Sequence, residues 1–309
     1  MLTKKKISIV VPVYKSQENI ETLAIRVEDS LKATNYELIM INDCSPDKSW
    51  EEIKKVTLTN KKIIAINLRK NSGQDNAIMA GFSKASGDYV VVMDDDLQHD
   101  PRDIRKLVRG LEKGDYDVCF ARFPKKKHKL WKNIGSWING KMAELTISKP
   151  RHIYLSPFKI LQKEIVDEII KYEGPYPYVD GIIFSITQNV MQIDIDHHER
   201  YRGESNYTLI KSIAVWLKLM TSFSVFPLRI ATLIGIFASI FGFLLAMYYL
   251  TRYLFIGSTV EGWTSLMIML LLLCGTILLA LGAIGEYVGR SYIQLYKKPQ
   301  YSIKDVLSS

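Results

Sequence analysis

Short apolar strands alternate with amphipathic helices through the first 122 residues, and this alternation is what most constrains the fold. The segments rich in Ile and Val are predicted as strands, at residues 7–13, 36–41, 62–68, 89–93 and 117–121. The intervening segments have the mixed character of surface helices, at residues 18–33, 49–58, 73–85 and 101–113. Such alternation is typical of an α/β fold, in which helices cover both faces of a parallel sheet. The loops after the strands should then gather at one edge, where ligands bind in these folds.

Three consecutive carboxylates, Asp94, Asp95 and Asp96, follow the fourth predicted strand. Crowded carboxylates repel one another, so a cation among them would stabilise the group. Oxygen ligands of this kind suit Mg²⁺ or Mn²⁺ held together with substrate phosphates. The alternative is an acidic helix start, with Asp100 as the N-cap and Asp103 in the first turn. That alternative leaves the three consecutive carboxylates unexplained, and the metal site is therefore the favoured interpretation.

The loops after the first three predicted strands carry side chains suited to a nucleotide diphosphate. The first contains Pro12 and Tyr14, and the tyrosine ring could stack on a base. In the second, Asp43 can accept the imide N–H of uracil or merely cap the next helix. The third places Arg69 close before Gly73, and a helix N-terminus preceded by glycine suits an anion. On successive strands of one sheet, these loops predict a nucleotide-diphosphate site with a metal.

Two long stretches near the C-terminal end lack charged side chains. The first runs for 22 residues between Arg229 and Arg252, and the second for 24 residues between Glu261 and Glu286. About 20 apolar residues suffice to cross a bilayer, and soluble helices of this length normally show a polar face. We therefore favour two transmembrane helices over a buried hairpin in a soluble core. The predicted spans are residues 229–253 and 263–286.

Basic side chains flank the two predicted spans, whereas the loop between them carries only one arginine and one glutamate. An excess of positive charge marks cytoplasmic segments, so both termini are predicted in the cytoplasm. Residues 207–228 are predicted as amphipathic helices on the membrane surface. The formal net charge of +9 fits an anionic membrane and phosphorylated ligands. No nucleic-acid module is recognisable, so we expect no nucleic-acid partner.

Several other functional classes find no support in the sequence. It contains neither the glycine-rich P-loop motif of ATPases nor the G-x-G-x-x-G motif of dinucleotide-binding folds. Cys44, Cys119 and Cys274 lack metal-ligand spacing and are predicted to be reduced structural thiols.

The order of the motifs resembles that of the family 2 glycosyltransferases with a GT-A fold. The motifs are Val11-Pro12-Val13-Tyr14, Asn42-Asp43-x-Ser45-x-Asp47, Arg69-x-Asn71-x-Gly73-Gln74, Asp94-x-Asp96-x-Gln98 and Arg200-x-Arg202 followed by Ser205. The resemblance covers essentially the whole chain and includes the two predicted spans. Within the family, the chain is similar to polyprenyl-phosphate glycosyltransferases, such as dolichyl-phosphate mannose synthases and bacterial undecaprenyl-phosphate glucosyl and aminoarabinosyl transferases.

The resemblance implies a role for each matching residue. The metal, Mg²⁺ or Mn²⁺, would be bound by Asp94, Asp96 and Gln98. The nucleotide sugar would be bound by Pro12, Tyr14, Asp43, Arg69, Gly73, Gln74, Asp94 and Asp95. The residues facing the reacting groups would be Asp96, Arg122, Arg200, Arg202 and Ser205. The alternative for Arg200 and Arg202 is that they bind the negatively charged membrane surface.

The predicted spans and the resemblance together give the expected domain boundaries. A cytoplasmic GT-A domain with a doubly wound, mostly parallel sheet would occupy residues 1–206. It would be followed by the interfacial helices at 207–228, the transmembrane hairpin at 229–288 and a cytoplasmic tail at 289–309. The protein is then expected in the cell membrane, as a multi-pass homo-oligomer in contact with membrane lipid.

Three departures from the family pattern bear on the chemistry. Lys15-Ser16 stands where relatives often have Asn-Glu, Asn42 stands where Asp is common, and residues 151–159 contain no carboxylate. A phosphate acceptor is already charged near neutrality and needs no base to remove a proton. The sequence thus favours inverting transfer of one sugar from a nucleotide sugar, with UDP the expected nucleotide, to undecaprenyl or another polyprenyl phosphate. The alternative acceptor is a lipid alcohol such as diacylglycerol or a glycolipid, which would require a general base.

Overall fold

A computed structural model describes residues 4–123, 150, 153–195, 226–256, 262–295 and 299–308. The chain divides into two compact units. The first comprises Met1–Tyr207 together with Lys297–Ser309, and the second comprises Thr208–Tyr296.

Strands and helices alternate in the first unit, as the sequence predicts. The elements up to residue 122 are β1 (Ile7–Val13), α1 (Ile20–Leu31), β2 (Tyr36–Asn42), α2 (Ser49–Thr59), β3 (Ile63–Leu68), α3 (Gln74–Phe82), β4 (Tyr89–Val92), a 3₁₀ turn (Pro101–Asp103), α4 (Ile104–Lys113) and β5 (Val118–Arg122). Those after residue 150 are β6 (Lys159–Gln162), α5 (Lys163–Ile169), α6 (Val179–Ile186), β7 (Val190–Asp194) and β8 (Ile303–Ser308). The predicted strands and helices before residue 122 are confirmed.

The strands within the described ranges form one eight-stranded sheet in the order β7-β5-β6-β4-β1-β2-β3-β8. The central strands β4, β1, β2 and β3 are parallel neighbours. Strand β6 runs antiparallel between β4 and β5, and β8 runs antiparallel along β3. The sheet is therefore mixed, and its parallel centre agrees with the predicted α/β class.

The core lies on both faces of this sheet. Every residue of β1 is buried, because helices cover the sheet on each side, and all but Ser8 are apolar, as is typical of a strand buried on both faces. Helix α3 packs very closely on β1 and β2. A Cβ atom placed on Gly81 would lie 2.4 Å from Val10 Cγ1 and 2.8 Å from Ile41 Cδ1. The glycine thus lets α3 approach the strands whose loops form the site.

The C-terminal residues differ from the predicted tail. The last long helix continues to Leu295, and Ile303–Ser308 forms the edge strand β8 on β3. Most side chains of this strand are exposed or half-buried, so its sequence lacks the continuous apolar run of the central strands. This weak hydrophobic signal explains why the sequence did not predict it.

The second unit contains two long helices that contact each other, α7 (Phe226–Ile256) and α8 (Trp263–Leu295). They coincide with the two charge-free stretches of the sequence. Among the described residues, no helix combines the length and the apolar character required to cross a bilayer. The two transmembrane spans are therefore not confirmed and stay a prediction. Residues 207–225 of the predicted interfacial segment lie outside the described residues.

Candidate active site

Four loops meet where the parallel strands β1, β2, β3 and β4 end. Hydrogen bonds join the first loop to two others. The backbone N–H of Tyr14 donates to Asp95 Oδ2 at 3.2 Å, and that of Lys15 donates to Ser45 Oγ at 3.2 Å. Lys15 has a φ of +58°, a left-handed conformation that is uncommon outside glycine. The predicted gathering of these loops at one edge is confirmed.

The loop after β4 is held by a hydrogen bond from helix α3 and by a hydrogen bond within the loop itself. Gln74 Nε2, at the start of α3, donates to Asp94 Oδ1 at 2.8 Å. The backbone N–H of Gln98 donates to Asp96 Oδ1 at 3.1 Å, closing a tight turn in which Leu97 has a φ of +61°. Asp94 and Asp96 thus lie in one loop, and the backbone of Gln98 is hydrogen-bonded to Asp96, while the role of the three residues as metal ligands stays a prediction.

His99 holds the backbone of this loop in place. Its ring is buried and stacks on Phe158 and Phe123, with ring centroids 5.0 and 5.6 Å away. Its Nδ1 accepts the backbone N–H of Asp94 at 3.3 Å. An imidazole that accepts at Nδ1 is neutral and carries its proton on Nε2. The histidine therefore fixes the backbone from which the first carboxylate projects.

The carboxyl groups of the cluster are strongly perturbed. The pKa of Asp94 is raised to about 7, chiefly by burial and further by repulsion from Asp96 and Asp95, while the charge of Lys159 and the hydrogen bond from Gln74 oppose the shift. Burial likewise raises the pKa of Asp95 to about 6, although hydrogen bonds from Ser16 and Tyr14 oppose the shift. The mutual repulsion of these groups is the condition that a bound cation would relieve.

The predicted metal ligands fit a divalent cation only in part. Within the described ranges, no group of three or more His, Cys, Asp or Glu side chains is placed to hold a metal ion. Asp94 and Asp96 nonetheless fit a divalent cation by their chemistry, since they are oxygen donors whose charges repel. Mg²⁺ and Mn²⁺ sites often use one or two carboxylates together with water and substrate phosphates. The pair fits such a site in part and leaves the remaining ligands to the substrate.

Asp43 organises the neighbouring loop. Its side chain is buried, and its two oxygens accept the backbone N–H groups of Ser72 at 2.7 Å and Gly73 at 2.8 Å. Burial raises the pKa of Asp43, while the two backbone hydrogen bonds lower it. Gly73 has a φ of +91°, a conformation that favours glycine. Asp43 thus holds the β3–α3 loop, and the remaining lone pairs of its carboxylate could still accept from a base.

The other predicted nucleotide contacts lie at the same edge. Pro12 is buried within β1, whereas the Tyr14 ring is 44% exposed and open to stacking. Arg69 is exposed just beyond β3.

Arg122 is the last residue of β5, and its Nε lies 3.4 Å from Asp194 Oδ1 at the end of β7. Its neighbour Phe123 reaches the aspartate loop by stacking on His99. Arg200, Arg202 and Ser205 lie outside the described residues, as does the basic run at 125–129.

Sequence reasoning missed one charged pair beside the cluster. Lys159 opens β6, opposite Val92 of β4, and forms a buried ion pair with Asp180 of α6. Its charge lowers the pKa of Asp94. The available signal was a lysine among Phe158, Ile160 and Leu161, because a cation in a buried strand needs a partner.

Comparison with known proteins identifies the family of the chain. The profile described as glycosyl transferase family 2 matches residues 8–170. An undecaprenyl-phosphate 4-deoxy-4-formamido-L-arabinose transferase of Photorhabdus laumondii is 32% identical over 98% of this chain and 94% of its own length. An uncharacterised glycosyltransferase of Bacillus subtilis is 33% identical over 96% of this chain and 93% of its own.

A solved structure shares the fold. Glucosyl-3-phosphoglycerate synthase of Mycobacterium tuberculosis, crystallised with Mn²⁺, uridine diphosphate and phosphoglyceric acid, superposes with a TM-score of 0.54 at 16% identity. The match covers 70% of this chain and 76% of that one. The family profile spans more than half of the chain, and the similarity to the Photorhabdus transferase extends over nearly all of it. The chain therefore belongs to glycosyltransferase family 2 and is a glycosyltransferase.

Proposed function

We propose that this enzyme transfers one sugar from a UDP-linked donor to undecaprenyl phosphate or a similar polyprenyl phosphate, with inversion at the anomeric carbon. The observation that carries the proposal is the similarity to undecaprenyl-phosphate aminoarabinose transferases over 98% of the chain. That similarity extends beyond residues 8–170, which the family profile matches, into the two long helices. A shared catalytic domain alone would not account for it.

The donor would lie across the loops at the parallel strand ends. The base would stack on Tyr14 and donate to Asp43, while the diphosphate would lie near Arg69 and the start of α3. Asp94 and Asp96 would hold Mg²⁺ or Mn²⁺, which stabilises negative charge on a leaving diphosphate when it is bound. Asp95 accepts the backbone N–H of Tyr14 and so joins the base loop to the metal loop.

The negative charge of a phosphate acceptor favours it over an alcohol. A phosphate oxygen would attack the sugar C1 as the bond from C1 to the diphosphate breaks, with its electron pair leaving on the nucleoside diphosphate. This nucleophile needs cations and alignment rather than a base. Residues 151–159 contain no carboxylate and end in the buried cation Lys159. Arg122, Arg200, Arg202 and Ser205 are proposed to face the acceptor phosphate or the diphosphate.

The decisive experiment measures transfer directly. The full-length protein in detergent is incubated with labelled UDP-sugars, undecaprenyl phosphate and Mn²⁺, and the product is treated with mild acid. A glycosyl phosphate is expected to be cleaved, whereas an acid-stable product would show a lipid alcohol as the acceptor. No lipid product with any UDP-sugar would contradict the proposal.

Asp96→Asn removes one negative charge from the proposed metal site, and we expect it to reduce transfer at least about a hundredfold. Asp29→Asn, on the exposed surface of α1, makes the same chemical change away from the site and should leave transfer unchanged. Removal of divalent cations with a chelator should abolish the activity of the unmodified protein. Activity that survives both chelation and Asp96→Asn would contradict the metal site.

We also propose that α7 and α8 cross the membrane, with the first unit in the cytoplasm. Each coincides with a stretch of more than 20 residues without charge. Both carry large exposed apolar side chains, including Phe237 at 70% and Leu278 at 68% exposure, which water disfavours. Strands that precede α7 and the strand that follows α8 belong to the same sheet. The chain must therefore be on the same side of the membrane before α7 and after α8, which requires an even number of crossings. A homo-oligomer is proposed as well, and light scattering of the detergent-solubilised protein tests it.

A further inference from the structure

A line of polar side chains crosses the outer three strands of the sheet beside the proposed nucleotide loop. Asn42 ends β2, Asn67 lies opposite it on β3, and Asp305 lies opposite Asn67 on β8. Asn42 and Asn67 are buried, with 2% and 7% of their surfaces exposed. Buried amides require hydrogen-bond partners, and these residues supply them to one another.

The hydrogen bonds run in one direction. Asn67 Nδ2 donates to Asp305 Oδ2 at 3.1 Å, and Asn42 Nδ2 donates to Asn67 Oδ1 at 2.8 Å. Asn42 Oδ1 then accepts the backbone N–H of Ser45 at 3.2 Å. We call these three side chains the amide relay.

The carboxylate determines the direction of the amide relay. An ionised carboxylate can only accept, so Asn67 must present its NH₂ group to Asp305 and its oxygen to Asn42. Asn42 must then present its own NH₂ group to Asn67 and its oxygen to Ser45. With a donor at position 305, both amides would turn over, and the NH₂ group of Asn42 would face the N–H of Ser45.

The loop that donates this hydrogen bond, through Ser45 N–H, is the proposed base-binding loop. Ser45 Oγ accepts from Lys15 N, and Asp43 holds the N–H groups of Ser72 and Gly73. Cys44, between Asp43 and Ser45, has a φ of +52°. This conformation costs free energy and persists only where the surrounding contacts enforce it. The β3–α3 loop is tied to the same C-terminal segment, since Arg69 N donates to Ser302 O at 2.8 Å.

We propose that Asp305 is a positioning residue for the nucleotide, acting through Asn67 and Asn42 on the loop that carries Asp43. This inference rests on the proposed function, because it concerns the affinity of the proposed nucleotide site. The C-terminal strand is therefore part of the donor site, although it follows the two long helices in the chain and lies far beyond the matched family region.

The test measures binding of UDP with Mn²⁺ to the full-length protein in detergent by calorimetry. Asp305→Lys places a donor at the end of the relay, and lysine is well tolerated on edge strands. The UDP dissociation constant should rise about tenfold, as expected when a buried donor is left unpaired. Asp305→Asn can still accept through its oxygen and should stay within about threefold of the unmodified protein. Asp29→Lys makes the same change of charge on exposed α1 and should not alter UDP binding.

A second substitution distinguishes the relay from a general loss of structure. Asn42→Asp supplies an acceptor for both the turned-over Asn67 and Ser45 N–H. It should weaken UDP binding alone but restore it in the Asp305→Lys background to within about threefold. In steady-state assays, Asp305→Lys should raise the KM for the donor while the KM for the lipid stays unchanged.

The outcomes separate the two proposals. An unmodified protein that binds no nucleotide would overturn the proposed function itself. Normal UDP binding by Asp305→Lys, or a double variant no better than the two single variants combined, would overturn the amide relay alone.

Discussion

At the scale of single residues, the buried carboxyl groups of Asp94 and Asp95 make the stability of the protein depend on pH. Burial and mutual repulsion raise the pKa of Asp94 from 3.8 to about 7 and that of Asp95 from 3.8 to about 6. At a pH above 3.8 but below the raised pKa of each group, the folded protein keeps a proton that the same group has lost in the unfolded chain. Without divalent cations, their contribution to stability is therefore complete below about pH 4 and is lost as the pH rises towards 7.

Asp94→Asn should remove the Asp94 part of this dependence. Glu37 acts in the opposite sense, because hydrogen bonds from Lys6 and Ser8 outweigh its burial and lower its pKa. The useful quantity is thus the difference in melting temperature between the variant and the unmodified protein from pH 4 to pH 7, measured with a chelator present. The variant should gain relative stability as the pH rises, and a constant difference would contradict the raised pKa.

The sequence predicted those site residues whose signal is local. Three consecutive aspartates after an apolar strand are visible without any tertiary information, and the structure brings them to the expected edge. The partners of these groups depend on the fold. Lys159 and Asp180 lie 21 positions apart, and their pairing arises only when β6 is inserted beside β4.

At the scale of elements, the closeness of α3 to the sheet depends on Gly81. Alanine would improve helix propensity by up to about 1 kcal/mol, but the added Cβ would meet Val10 Cγ1 at 2.4 Å. Overpacking of this kind typically costs about 1–3 kcal/mol. We expect Gly81→Ala to lower the free energy of unfolding by about 1–2 kcal/mol in chemical denaturation, since the clash outweighs the propensity.

Removal of the obstructing methyl groups provides the control. Val10→Ala in the Gly81→Ala background should recover stability relative to the sum of the two single substitutions. Strictly additive losses would show that α3 shifts away from the sheet without strain.

The elements that hydrophobic periodicity predicts are those with two buried faces or one continuous apolar face. The strands β1 to β5 and the helices α1 to α4 belong to this class. The antiparallel strands escaped prediction for different reasons. Strand β6 has only four residues, and β8 exposes most of its side chains at the edge of the sheet.

At the scale of the whole molecule, the proposed topology can be measured with native and introduced cysteines. Cys44 is exposed in the first unit, and Ser258 lies between α7 and α8. In cells that express a Cys274→Ala background, a membrane-impermeant maleimide should label Ser258→Cys from outside. It should label Cys44 only after permeabilisation. Labelling of Cys44 in intact cells, or equal protection of both positions, would contradict the two spans.

The pairing of β8 with β3 has a consequence for biosynthesis. Asn67 and Asp305 are separated by 238 positions, so the ribosome makes both long helices before it makes the partner of β3. Until then, β3 presents an open edge on which other chains can pair. A nascent or prematurely terminated chain would carry all three aspartates of the proposed metal loop yet lack the strand that holds the proposed base-binding loop through Asn67 and Asn42. Nucleotide binding at the proposed site would thus reach full strength only after the two long helices and β8 have been synthesised, so incomplete chains would compete weakly for the cell's nucleotide sugars.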